Sequence, residues 1–182
     1  MSETTVYLEE VGEIVQALEQ LGLEPVLVGG MALVTLGSRR VTEDFDLVIS
    51  KPDNRIDAML DVLYDKGFEL VSRLDKEGEV RSTIDNRRVA SIRLRLDSPD
   101  SAHFFNRKTE LRIDLLFDFP IPAAELARGA KRTRVHFKTL RVASEDDLIR
   151  LKEIANADRH SARDIEDLAF LKARQKDSKK NR

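Results

Sequence analysis

Cysteine is absent from this 182-residue chain, which excludes disulfide frameworks, thiolate metal sites, cysteine nucleophiles and iron–sulfur chemistry. Histidine is scarce. His103, His136 and His160 are too scattered for a His-rich zinc site and lack the Ser or Asp setting of a nucleophile elbow, so each reads as a surface or loop residue. The longest apolar run, around Pro25 to Gly37, is broken by Gly29-Gly30 and is too short for a membrane span. The first residues lack the basic start of a signal peptide. These absences predict a soluble, cytoplasmic protein. Positive charge is missing from residues 1–38, which hold six Glu and no Lys or Arg.

Hydrophobic residues make up 41% of the chain and charged residues 35%, a balance that supports a folded core rather than disorder. The net charge is -2; with -6 in the first 38 residues, the remainder carries +4. Arg128 to Arg141 holds six basic residues and no acid, and Gln175 to Arg182 holds four against one Asp. A sequence pI of about 6.0 argues against a domain-wide nucleic-acid footprint. It leaves room for a local polyanion contact, with solvated surface charge as the plainer reading.

Hydrophobic spacing predicts alternating helices and strands. Val11, Ile14, Val15, Leu18 and Leu21 mark a first amphipathic helix over 5–21. A short buried strand follows at 25–28, then a helix over 31–36. Phe45 to Ser50 reads as a strand, 53–66 as a helix stopped by Gly67, and 68–73 and 88–96 as strands. The polar stretch 97–110, with His103, Phe104 and Phe105 exposed in it, reads as a mobile loop. Leu111 to Phe119 alternates strictly enough for a strand, 121–127 allows one or two helical turns, and 135–142 reads as a hairpin. Ser144 is a natural N-cap for a helix over 144–157, followed by another over 162–173; only the last eight residues read as a disordered tail. The predicted division is a core over 1–143, a helical segment over 144–174 and a basic tail over 175–182.

The chemistry is concentrated in three acids. Asp44 and Asp46 sit two apart at a strand start, and the period-2 geometry puts both carboxylates on one face, roughly 6–7 Å apart at the backbone. Asp114 lies within Ile113-Asp114-Leu115, where a buried carboxylate is costly unless paired or bound to metal. If the two strands are neighbours, three carboxylates meet. Such hard oxygen ligands suit Mg²⁺ or Mn²⁺, and two ions about 3.5–4 Å apart can clamp a triphosphate and an attacking hydroxyl. Alone, Asp-x-Asp is equally a pair of surface acids. Gly29-Gly30, between strand and helix, offers backbone amides without side chains to a phosphate, or simply a tight turn.

The ordered set Val28-Gly29-Gly30-Met31-Ala32, Arg40-Val41-Thr42-Glu43-Asp44-Phe45-Asp46-Leu47 and Ile113-Asp114 resembles the polymerase-beta-like nucleotidyltransferase superfamily. Within it, the Gly-Gly-x-Ala opening and the Arg-x-Thr-x-Asp-x-Asp run resemble AbiEii-type toxins and the small antibiotic nucleotidyltransferases. The C-terminal run Leu148 to Ala155, continuing through Arg163 to Leu168, is similar to the helical end of that group. The resemblance covers about residues 25–173, and about thirty of them at the level of motifs. Many superfamily members open with Gly-Ser, where this chain has Gly-Gly-Met; that points to the Gly-Gly subgroup.

The resemblance implies an α+β fold, a mixed β-sheet flanked by helices with C-terminal helices. It implies transfer of a nucleoside monophosphate from an NTP, with Mg²⁺ or Mn²⁺ and release of pyrophosphate. Asp44, Asp46 and Asp114 would hold the metals, with Asp114 also helping to deprotonate the acceptor. Gly29 and Gly30 would cradle phosphates, while Arg40, Thr42 and Lys152 would hold the triphosphate. An ordinary solvated lysine is the alternative for Lys152, and Asp164 and Asp167 read as fold-stabilising partners of Lys or Arg. The acceptor is a tRNA end, a protein hydroxyl or a small molecule, and a cognate antitoxin is a possible partner. The alternative function is a non-catalytic nucleotide-binding or toxin–antitoxin partner module of the same fold.

Overall fold

The computed structural model describes residues 3–42, 44–135 and 138–180. Eight strands form one mixed sheet: β1 Val26–Val28, β2 Asp44–Ile49, β3 Glu69–Leu74, β4 Val80–Ile84, β5 Ser101–Phe105, β6 Arg112–Phe117, β7 Lys131–Val135 and β8 Lys138–Val142. Their order is β4-β3-β5-β6-β2-β1-β8-β7. The β2–β6 and β1–β8 pairs are parallel and the others antiparallel. The helices are α1 Glu3–Gln20, α2 Gly29–Thr35, α3 Ile56–Asp65, α4 Arg87–Asp97, α5 Ala123–Gly129, α6 Glu145–Arg159 and α7 Ala162–Lys180, with a single 3₁₀ turn at Asp53–Arg55. The architecture is the predicted α+β arrangement.

One apolar core joins the elements. Strand alternation sends Phe45, Leu47 and Ile49 of β2 and Ile113, Leu115 and Phe117 of β6 into it, together with Phe104 of β5. Ile14 and Leu18 of α1 and Met59, Leu60 and Leu63 of α3 belong to the same cluster. Because the period is two, the residues between them, Asp44, Asp46, Arg112 and Asp114, share the other face. Burial of one face therefore fixes which side chains assemble on its opposite.

Several segments differ from their sequence reading. Residues 88–96, expected as a strand, lie in α4, where Ala90, Ser91 and Leu94 are buried in a helical stripe while Val89, Ile92 and Leu96 are exposed. The Asn86 side chain caps this helix, accepting hydrogen bonds from the backbone N–H groups of Arg88 and Val89. The expected mobile loop holds β5, an interior strand between β3 and β6, and its Phe104 is fully buried. The β3–β4 hairpin adds β4, which the sequence reading does not contain. Helix α7 also continues through Lys180, into the stretch expected to be disordered. The β7–β8 hairpin is antiparallel as expected and starts earlier, at Lys131; its connecting residues, with His136, lie outside the described residues. No helix among the described residues is long and apolar enough to cross a membrane.

Candidate active site

A single row of residues crosses four strands. Val28, the last residue of β1, pairs with Asp46 of β2; Asp46 pairs with Asp114 of β6; Asp114 pairs with His103 of β5. Two carboxylates thus stand side by side across a parallel ladder, where neighbouring strands are about 4.8 Å apart. Asp44 lies two residues before Asp46, opposite Arg112, and its side chain is exposed. Glu43, between Thr42 and Asp44, lies outside the described residues.

The two central acids have opposite electrostatics. Burial pushes the Asp46 carboxyl up to about 6, helped by the neighbouring charges of Asp114 and Asp44 and opposed by Lys152 and Arg112. Asp114 is also pushed up by burial, but hydrogen bonds from His103 and Arg112 outweigh it and hold its carboxyl below the ordinary range. Arg112 Nε donates to Asp114 Oδ1 at 2.7 Å. His103 Nδ1 lies 2.8 Å from the same oxygen. A carboxylate can only accept, so Nδ1 carries the proton of that bond. Arg112 Nη1 also donates to the Gly78 carbonyl, at 3.2 Å, in the β3–β4 turn.

Gly29 lies against this row. Its φ of +66° falls in the left-handed region, and a Cβ there would overlap the Asp46 carboxylate. Gly30 has no such backbone requirement; a Cβ there would sit 2.8 Å from Cζ of the Arg40 guanidinium, the end of a flexible side chain that could give way. Glycine at position 29 is thus required both by its backbone conformation and by the approach of the Asp46 carboxylate.

A second group of charges adjoins the row from α6 and α7. Lys152 Nζ pairs with Asp164 Oδ1 at 2.9 Å and with Asp167 Oδ2 at 2.7 Å. Arg40 Nη1 pairs with the same oxygen of Asp167. All four side chains are largely buried, Lys152 at 12% exposed and Asp164 at 5%. Lys152 is therefore not a solvated lysine, and Asp164 and Asp167 are partners of Lys and Arg as their sequence reading has it. Arg174 locks this end by donating to the Leu36 carbonyl at the close of α2 and pairing with Glu145 of α6. Thr42 lies partly exposed in the segment joining α2 to β2.

The structure thus brings Asp46, Asp114, Gly29, Gly30, Arg40 and Lys152 to one end of the sheet. It does not gather three carboxylates around one point: among the described residues no group of three or more His, Asp or Glu side chains is disposed to hold a metal ion. Asp114 instead uses one oxygen on Arg112 and His103. The donor set still fits a hard divalent cation. Asp44 and Asp46 share a face, and a cation would offset both the burial that chiefly raises the Asp46 carboxyl and the repulsion from Asp114 and Asp44 that adds to it. His103 and Arg112 are the functional residues missed in the sequence. Arg112 carried a usable signal, being two residues before Asp114 on the same strand face; His103 was hidden by the misread segment around it.

The fold defines the class. The chain resembles the antibiotic-resistance factor ANT(2'')-Ia at 15% identity, covering 92% of this chain and 83% of that one with a TM-score of 0.56. It also resembles an antigenic nucleotidyltransferase-like protein from Paracoccidioides brasiliensis, at 18% identity, 93% and 76% coverage and a TM-score of 0.53. The protein JHP933 from Helicobacter pylori matches at 19% identity, 94% and 67% coverage and a TM-score of 0.50. These likenesses establish a nucleotidyltransferase-like fold. The sequence profile of the family described as nucleotidyl transferase AbiEii toxin, type IV TA system, matches residues 14–182, and the chain belongs to that AbiEii family. No curated protein sequence matches it.

Proposed function

We propose that this AbiEii-family chain transfers a nucleoside monophosphate from an NTP to an acceptor hydroxyl. The observation that carries the reading is the Asp46–Asp114 pair, registered on adjacent strands beside Gly29 with Asp46 raised to about 6. In the reaction the acceptor oxygen forms a bond to the α-phosphorus, the bond from that phosphorus to the bridging oxygen breaks, and pyrophosphate leaves with the electron pair.

Asp44 and Asp46 are the ligands we assign to Mg²⁺ or Mn²⁺, a cation that would neutralise the triphosphate and polarise the α-phosphoryl group. Asp114 keeps its charge through Arg112 and His103, so it can complete a metal site and take the proton of the acceptor hydroxyl. Backbone amides at Gly29 and Gly30 approach the phosphates where no Cβ intervenes. Thr42 and the cations Arg40 and Lys152 face the triphosphate from the other wall, exchanging some contact with Asp164 and Asp167 for phosphate oxygens. Residues 1–143 would then form the transfer core, and 144–174 the wall that carries Lys152, with 175–182 as a basic extension.

The exposed Lys131, Arg132 and Arg134 of β7 favour an RNA acceptor such as a tRNA end over a protein or a small molecule. The family's toxin–antitoxin setting makes a cognate antitoxin the expected counterpart in the cell.

The test is transfer of label from each α-³²P-labelled NTP, with Mg²⁺, to total RNA and to protein of a lysate. An Asp44→Ala, Asp46→Ala double variant runs beside it. Label that reaches RNA and vanishes in the variant supports the reading and names the donor; label in protein moves the acceptor assignment. No label in either fraction points to a small-molecule acceptor, and if Mg²⁺ and NTP also fail to bind by calorimetry, the chain is a non-catalytic module.

A further inference from the structure

Asp114 is held in an unusual way for a buried arginine–carboxylate pair. A stabilising pair is commonly fork-to-fork, with two guanidinium nitrogens on two carboxylate oxygens. Here Arg112 spends one nitrogen, Nε, on Asp114 Oδ1, and His103 Nδ1 adds a second bond to that same oxygen. Neither bond engages Oδ2. The guanidinium is itself fixed at one further point. Nη1 donates to the Gly78 carbonyl of the β3–β4 turn. Arg112 and Asp114 are both largely buried, with side chains 18% and 13% exposed, so the arrangement is shielded from water. Strand register builds it: His103 is paired with Asp114 across β5–β6, and Arg112 lies two residues from Asp114 on one face.

We propose that Arg112 and His103 are positioning residues, anchoring Asp114 by Oδ1 so that Oδ2 is presented to the reacting hydroxyl. The proposal rests on the transfer reading above. In the step, the acceptor O–H bond breaks as the oxygen bonds to the α-phosphorus, and its proton passes to Oδ2. The anchor on Oδ1 prevents the carboxylate from rotating away and exchanging its two oxygens. Lysine at position 112 could keep a charge and one hydrogen bond but not the two fixed directions of the guanidinium. Asparagine at position 103 can place its side-chain N–H near the position of the imidazole Nδ1–H, whereas phenylalanine keeps the ring and removes the donor. The β3–β4 turn acquires a role by the same argument, since its Gly78 carbonyl sets the tilt of the guanidinium.

The experiment uses the full chain and the labelled-NTP assay at saturating Mg²⁺, with turnover and KM for the NTP measured separately. Arg112→Met is expected to lose about 10²-fold in turnover, the usual scale for a misoriented acid–base group, with KM changed less than about 3-fold. Arg112→Lys should recover part of that loss, and His103→Asn should lose less than His103→Phe. Binding of a non-hydrolysable α,β-methylene NTP, followed by calorimetry, should be unchanged in all four. Arg112→Met with the turnover of an active wild type overturns the inference alone. So does a loss that falls on KM or analogue binding, or an Arg112→Lys no better than Arg112→Met in chains that melt alike. A wild-type chain that transfers no label overturns the transfer reading, and the positioning role with it.

Discussion

Two buried charge clusters lie side by side in this protein and are balanced differently. On the sheet, Asp46 has the carboxylates of Asp114 and Asp44 as neighbours and the charges of Lys152 and Arg112 against them, and burial leaves its carboxyl raised to about 6. Between α6, α7 and the approach to β2, Lys152 and Arg40 are matched by Asp164 and Asp167 at hydrogen-bonding distance. In the first, the folded chain disfavours the charge of Asp46. The second is close to self-neutral, with Asp164 Oδ2 and Arg40 Nε as buried atoms lacking a hydrogen-bond partner in the protein. The difference separates a cluster whose charges match within the fold from a carboxyl, Asp46, whose charge burial and its acidic neighbours disfavour.

The comparison makes substitutions in the two clusters move stability in opposite directions. Lys152→Met leaves Asp164 and Asp167 buried beside fewer cations, and breaking such a pair typically costs about 3–5 kcal/mol. In a chain of this size that corresponds to a melting temperature lowered on the order of 10 °C. Thermal melts of the metal-free protein check it, and an unchanged midpoint would mean that the α6–α7 cluster is no part of the fold's stability. Removing Asp164 and Asp167 together with Lys152 should restore much of the loss, because the unpaired charges go with it.

Asp46→Asn should do the reverse and stabilise the metal-free protein while abolishing transfer. Asp46 binds its proton more tightly folded, at about 6, than unfolded, near 3.8. Between those values the native state holds more protons than the unfolded one, so stability falls as pH rises through that window. The full shift corresponds to about 3 kcal/mol, and partial solvent contact of the side chain reduces this to about 1–3 kcal/mol. Urea melts at pH 4.5 and 7.5 read it: wild type should lose stability across the interval and Asp46→Asn should not. Asp114 has the opposite sign, its stabilisation being present above the ordinary carboxylate pKa and lost as pH falls below it. Saturating Mg²⁺ should offset the cost of Asp46 in wild type at pH 7.5, by about 2.7 kcal/mol at a hundredfold excess over Kd, and have no such effect on the variant.

Arg40→Met is a milder probe of the second cluster. Asp167 keeps Lys152 at 2.7 Å when Arg40 is removed, so the expected loss is about 1–3 kcal/mol, that of an incompletely satisfied buried acceptor. Reduced affinity for an NTP analogue, measured on the same sample, would show whether the arginine also serves the triphosphate.

Much of this contrast was legible in the sequence, and the reasons for the rest are physical. Asp44, Asp46 and Asp114 were readable because each interrupts an apolar strand whose alternation also tells which face it occupies. Gly29 was readable as a break, but its reason, the Asp46 carboxylate lying against it, is tertiary. Helix α4 was not, since Ile92, Leu94 and Leu96 alternate with Arg93 and Arg95 as in a strand, although only Leu94 of the three is buried, and its cap depends on the single Asn86. With α4 misread, β5 and its His103 looked like loop. Asp164 and Asp167 were readable as partners of a Lys or Arg, but not Lys152 as that partner, because residues 12 and 15 apart on two helices meet only if the turn between them closes, as the left-handed His160 lets it do.

The smallest expected effect serves as a control for the comparison. Ser144 caps α6, its hydroxyl oxygen accepting from the backbone N–H of Asp147 at 3.1 Å, and α6 carries Lys152. Ser144→Ala should cost about 1 kcal/mol through the lost cap, a loss that touches the helix and leaves the charges of both clusters in place. Its urea midpoint should therefore shift by a constant amount at pH 4.5 and 7.5, keeping the pH step that Asp46 imposes. If the cap variant flattens that step, α6 and the Asp46 row unfold or shift together, and the two clusters are one electrostatic unit. If the step survives the lost cap and vanishes in Asp46→Asn, the surplus charge belongs to the sheet alone, where a metal and a triphosphate would meet it.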